Sequence, residues 1–189
     1  MEKLRIGLAL TGSFCTFEKA MAAAERLCKL YDVTPILSET SASTDTRFGR
    51  AQDFLERLES LSGKTVIRTV EQAEPIGPKK LLDILIIAPC TGNTVSKLAH
   101  GITDSSVTMA AKAHLRNGRP VVVAVSSNDA LSAGAANLGA LMARRNIYLV
   151  PFRQDDPVNK PSSLVAEFSL IEATAAAALE GRQIQPMLL

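Results

Sequence analysis

Tryptophan is absent from this 189-residue chain, and the other aromatics are six Phe and two Tyr. So few flat side chains argue against a nucleic-acid platform that stacks bases on rings. Surplus basic charge is also missing. The chain has 21 Lys and Arg against 19 Asp and Glu, a formal charge of +2, with no electrostatic footprint for a phosphate backbone. His100 and His114 are the two histidines, and no Cys-x-x-Cys pair exists, so the usual zinc ligand sets are not expected. Cys15, Cys28 and Cys90 are odd in number and widely spaced, which fits a reducing cytosol better than a disulfide framework. The apolar run at 6–10 stops at Thr11-Gly12-Ser13, too short for a signal-peptide core. No other run approaches the ~18 residues of a membrane span. The expectation is a cytoplasmic chain without metal, folded as one domain over 1–189.

Hydrophobic residues make up 47% of the chain, many of them Ala, which suits closely packed helices. Two periods alternate along it. Strands are predicted at 4–10, 33–37, 65–68, 81–88, 120–125 and 147–150. Between them, helical spacing covers 16–31, 54–61, 95–102 and a segment running from a cap at Asp104 to Asn117-Gly118. A further helix surrounds Leu138, Leu141 and Met142. The last is predicted from Leu164 through Phe168, Ile171 and Ala175 to Leu179, closed by Gly181. Residues 38–46 read as a Ser/Thr-rich loop, and Ala175 to Ala178 as a surface for packing another backbone in an oligomer. Strands alternating with helices predict a three-layer αβα architecture around a six-stranded parallel sheet of order 3-2-1-4-5-6. In such sheets the ligand sits beyond the carboxyl ends of the strands, where the strand order reverses.

Three loops reach that edge. After the first strand comes Thr11-Gly12-Ser13-Phe14-Cys15-Thr16, leading into a helix, a place where free N–H groups and hydroxyls favour a phosphate. After the fourth come Pro89, Thr91, Gly92, Asn93 and Thr94, and after the fifth Ser126, Ser127, Asn128 and Asp129. Short hydroxyl and amide groups with almost no ionisable side chain suit a bound cofactor better than acid–base catalysis by the protein. Cys90 reads as a packed small thiol, since no histidine is near in sequence to activate it. Cys15 is expected to be buried beside Phe14 and Cys28 to lie in the core. His100 reads as a helix-end residue, His114 as a satisfied, packed side chain, and Lys97 as surface. Arg47 has two readings, a solvated loop charge or a two-point grip on a carboxylate.

Thr11-Gly12-Ser13, together with Ala-Pro-Cys-Thr-Gly-Asn-Thr-Val-Ser-Lys-Leu-Ala-His-Gly-Ile-Thr-Asp at 88–104, resembles the flavoprotein family of flavin-containing cysteine decarboxylases and flavin prenyltransferases. Residues 43–49, 73–79, 115–122, 125–131 and 145–152 are similar to one branch of it. The resemblance implies a Rossmann-like sheet holding FMN. Thr11, Gly12, Ser13 and Ser38 would meet the phosphate, and Pro89, Thr91, Asn93 and Thr94 the ring and ribityl chain, with Ser126 and Ser127 opposite. It further implies a dehydrogenase-like partner subunit that binds NADP, a homo-oligomer, and oxidation of dihydro- or tetrahydrodipicolinate to dipicolinate during bacterial sporulation. Arg47 is then the candidate contact for a substrate carboxylate. The decarboxylase histidine expected after the second strand is missing from 38–62, and Val125-Ser126-Ser127-Asn128 stands where those enzymes carry Pro-x-Met-Asn. A stand-alone prenyltransferase or decarboxylase, and a non-catalytic assembly protein, remain alternatives.

Overall fold

The computed structural model describes residues 3–189. Its centre is a run of parallel strands whose side chains are nearly all buried, as expected when helices cover both faces. β1 (Arg5–Leu10) lies between β2 (Asp32–Leu37) and β3 (Ile84–Cys90). β3 pairs with β4 (Val121–Ser127), and β4 with β5 (Ile147–Leu149). The order therefore reverses between β1 and β3, as predicted.

Two strand expectations need correction. Residues 65–68 contribute only one bridge, Ile36 to Ile67. Thr65 and Arg68 are exposed there, and a capping box on Thr69 and Gln72 starts a short helix, α4 (Val70–Ala73), at once. The edge strand has no length in which to form. The second correction concerns 164–168, read as helix because Leu164 and Phe168 are four apart. The same residues alternate buried and half-buried with period two, and tertiary pairing chooses the strand. β7 (Leu164–Ala166) runs antiparallel to the Ser126–Ser127 end of β4 and to β6 (Phe152–Arg153). The sheet is thus mixed, with seven strands. The last helix, α8 (Ile171–Leu179), begins seven residues later than read.

α1 (Phe17–Leu30) and α8 pack on the sheet, as does α6 (Ser106–Leu115). Alanines make this close approach feasible. Ala20, Ala23 and Ala24 of α1 and Ala110, Ala111 and Ala113 of α6 are buried. The row at 175–178 serves the same purpose, since Ala175, Ala177 and Ala178 are buried within the chain rather than presented to another. Gly77 shows how tight the packing is, because a Cβ there would lie 2.8 Å from the Ala113 carbonyl oxygen. α6 is capped by Ser105, whose hydroxyl accepts the Thr108 amide in a capping box; Asp104, expected as the cap, instead pairs with Lys97 at 2.8 Å. Residues 39–43 form a short helix, α2 (Glu39–Ser43), where a loop was expected. α3 (Ala51–Ser62) closes at Gly63, which takes the left-handed conformation at φ 67°. α5 (Gly92–His100) and α7 (Ala135–Met142) complete the helices and pack on each other.

Candidate functional site

The loops after β1, β3 and β4 are tied into one wall by hydroxyl groups. Thr11 is 2% exposed. Its amide and its hydroxyl both donate to the Pro89 carbonyl, at 3.1 and 3.0 Å, and its oxygen accepts the Thr91 amide at 2.9 Å. The first and second loops therefore hold each other through backbone groups. Ser13 Oγ meets Ser126 Oγ at 2.7 Å, linking the first loop to the third. Thr91 is the N-cap of α5, accepting the Thr94 amide at 3.2 Å.

Between these loops lies a cleft of about 580 Å³, within the ~300–1,000 Å³ common for small-molecule sites. At one end the chain enters α1 through a tight turn over Phe14–Thr16. The Phe14 and Cys15 amides donate to no acceptor among the described residues. Gly12, Ser13, Phe14, Cys15 and Thr16 line this end without an ionisable carboxyl group, an arrangement that favours an anion. Asn93 stands exposed on the wall, and its side-chain amide has no partner among the described residues. Gly92 is constrained by close approach. A Cβ there would lie 2.5 Å from Ser127 Oγ and 2.7 Å from Asp129 Oδ1. The Ser127 hydroxyl itself donates to Asp129 Oδ1 at 2.5 Å.

Of the residues singled out from sequence, Gly12, Ser13, Thr91, Asn93, Ser126, Ser127 and Arg47 line the cleft. Four others do not line it. Thr11 and Pro89 are buried in the bonds just described. Thr94, 6% exposed, turns its hydroxyl to Thr91 at 3.0 Å. Ser38 caps α2 and faces Ser41 Oγ at 2.9 Å. Arg47 sits in a turn closed by reciprocal Thr46 and Gly49 backbone bonds. Its guanidinium lies 4.8 Å from the centroid of the Phe48 ring, and it has no carboxylate partner among the described residues.

Sequence reasoning missed the far wall. Asp155, Lys160, Ser163, Leu164 and Val165 line the cleft from the segment joining β6 to β7. Two signals pointed there, the turn-forming Asp156-Pro157 and Asn159-Lys160-Pro161 cluster and the period-two alternation from Leu164. Cys15, expected to be buried, is exposed. Phe14 takes the interior direction instead, 5.0 Å from Phe17, which meets Phe54 edge-on. Cys90 is fully buried, and burial pushes its thiol far up, away from any nucleophilic role. Neither histidine lines the cleft. His100 Nδ1 donates to the Ser96 carbonyl at 2.9 Å at the end of α5. His114, 1% exposed, donates from Nε2 to the Pro120 carbonyl at 3.1 Å, and burial pushes its pKa down to about 4.

An α/β sheet whose order reverses beside a hydroxyl-lined cleft is the architecture of the flavoproteins, and residues 1–168 match the flavoprotein family model; the chain belongs to that family. It is 47% identical to the B subunit of dipicolinate synthase of Bacillus subtilis (strain 168), over 97% of this chain and 92% of that one. The crystal structure of the same B subunit from Bacillus halodurans superposes with a TM-score of 0.90 at 45% identity, covering 100% of this chain and 98% of that chain. A more distant structure, Burkholderia xenovorans DmrB in complex with FMN, described as a cubic protein cage for redox transfer, shares the fold. Its TM-score is 0.70 at 20% identity, over 94% and 96% of the two chains.

Proposed function

We propose that this chain is the FMN-binding subunit of a dipicolinate synthase, an oxidoreductase that works with a dehydrogenase-like, NADP-binding partner. The reading takes 1–189 as one flavoprotein domain, assembled with further copies of itself in the cytoplasm of a sporulating cell. The observation that carries it is the carboxylate-free end of the cleft, where the Phe14 and Cys15 amides, without acceptors among the described residues, lie in the turn leading into α1 and adjoin the Ser13–Ser126 hydroxyl pair. That end suits the phosphate of FMN. Asn93, Thr91 and Ser127 would face the ribityl chain and ring, with Thr11, Pro89 and Thr94 holding those loops in place. Bound there, FMN supplies a two-electron acceptor for a substrate being aromatised.

The protein's own contribution is binding and orientation. Its cleft has no histidine to move protons, and its buried Cys90 cannot attack. Arg47, which has no carboxylate partner among the described residues, would receive one from the substrate. The absence of a cleft histidine disfavours a stand-alone decarboxylase. Co-expression with the dehydrogenase-like partner, followed by an assay for dipicolinate formation with and without each of the two proteins, tests the assignment. Product only when both are present is expected. Turnover by this chain alone with prenyl phosphate or a cysteine-containing peptide would overturn it.

A further inference from the structure

Among the cleft-lining residues there are two cations, Arg47 and Lys160, and two carboxylates, Asp129 and Asp155. They are not equivalent. Asp129 is engaged by the Ser127 hydroxyl, and Arg47 has only the Phe48 ring. Lys160 is the interesting one. Its Nζ lies 3.1 Å from Asp155 Oδ2, with the lysine side chain 57% exposed. An ion pair so open to water is worth little, on the order of the weakest surface pairs, and opens readily. Asp155 does not depend on it, because its side chain is 34% exposed and water takes the lysine's place on the carboxylate when the pair opens.

The loop does not depend on the pair either. Asp156 Oδ1 accepts the Asn159 amide at 2.9 Å, the Lys160 amide donates to the Asp156 carbonyl at 2.8 Å, and the Leu131 amide donates to the Ser162 carbonyl at 2.9 Å. The ammonium is therefore a weakly held charge on a fixed loop, with Asp155 as its one partner among the described residues.

We propose that Lys160 is the second carboxylate receptor of the cleft, and that Asp155 keeps its place until a dicarboxylate arrives. This rests on the reading of the cleft as the site of a dicarboxylate reaction. Arg47, in the turn after α2, receives one carboxylate. Lys160, on the segment between β6 and β7, exchanges Asp155 for the other. A planar ring carrying two carboxylates engages both cations, and a monocarboxylate engages one. The pair thus sets specificity for diacids over monoacids, with no bond made or broken.

The test is calorimetric titration of the full-length, FMN-loaded chain with pyridine-2,6-dicarboxylate and with pyridine-2-carboxylate. For Lys160→Met, affinity for the diacid should fall about tenfold, the loss of one charged contact, and affinity for the monoacid should stay within about twofold. Asp155→Asn, which removes the competing charge at nearly constant size, should tighten diacid binding. Arg47→Met should weaken both ligands. An unchanged diacid affinity in Lys160→Met, equal losses for both ligands, weaker diacid binding in Asp155→Asn, or no diacid binding by the parent chain would each overturn the proposal. FMN and riboflavin titrations of Lys160→Met separate the other anion in play. If the substitution weakens FMN and spares riboflavin, the lysine serves the phosphate and the proposal is wrong. Should the parent chain take up no FMN, the flavin reading fails, and the same acid titrations on the flavin-free chain decide the lysine's role.

Discussion

His114 illustrates how a single buried residue sets a property of the whole chain. In the unfolded state its imidazole takes a proton near 6.5, whereas in the fold burial holds it neutral down to about 4. Between those values the unfolded state binds more protons, so stability rises with pH across that window. Its contribution is complete above about 6.5, shrinks as pH falls, and is gone below about 4. Urea unfolding at several pH values should show this decline, with a span on the order of 3 kcal/mol. The variant His114→Gln, which keeps a donor for Pro120, should flatten it. Asp83, held below the usual carboxylate range chiefly by Arg5, adds a further loss only at lower pH. At the cleft, Gly92→Ala should weaken FMN binding by about tenfold or more, because the new methyl group meets Ser127 Oγ and Asp129 Oδ1 well inside contact distance. Isothermal titration would measure it.

Among the elements, the buried parallel strands were legible because their residues form apolar runs ending at turn signals. β7 was not, since Leu164 and Phe168 satisfy helical and alternating spacing together, and only pairing with β4 decides between them. The third strand failed for a similar reason. Its residues have strand character, but they occupy an edge and end at a helix cap. The candidate site shows the same division. Chemistry on the loops after β1, β3 and β4 could be read directly, because small polar residues cluster at strand ends. Which hydroxyl faces the cleft could not, because Thr11 turns its hydroxyl to the neighbouring loop and Thr94 turns its own to the cap of its own helix. Thr11→Val should therefore act through the elements it joins. Its loss leaves the Thr91 amide without an acceptor, and stability should fall by ~1–3 kcal/mol in denaturant unfolding, with FMN affinity reduced as the loops separate. Ser105→Ala, which removes the α6 cap without touching a residue that lines the cleft, should cost ~1 kcal/mol and leave FMN affinity unchanged.

At the scale of the whole molecule, the sheet does two things. Its parallel part presents three loops at the point of strand reversal, and its antiparallel addition, β6 and β7, closes the cleft from the other side. The shortage of histidine and aromatic residues now has a structural counterpart: a cleft built from hydroxyls, amides, two cations and two carboxylates, with no histidine and no reactive thiol at its centre. In the proposed function the cofactor and the partner supply the rest of the reaction. The measurement that reaches this claim most directly is flavin-fluorescence titration of the isolated full-length chain with FMN, run beside Asn93→Ala and Ser13→Ala. The account predicts saturable binding of one FMN per chain, weakened about tenfold or more by either substitution. No saturable binding, or equal binding by the parent chain and both variants, would contradict it.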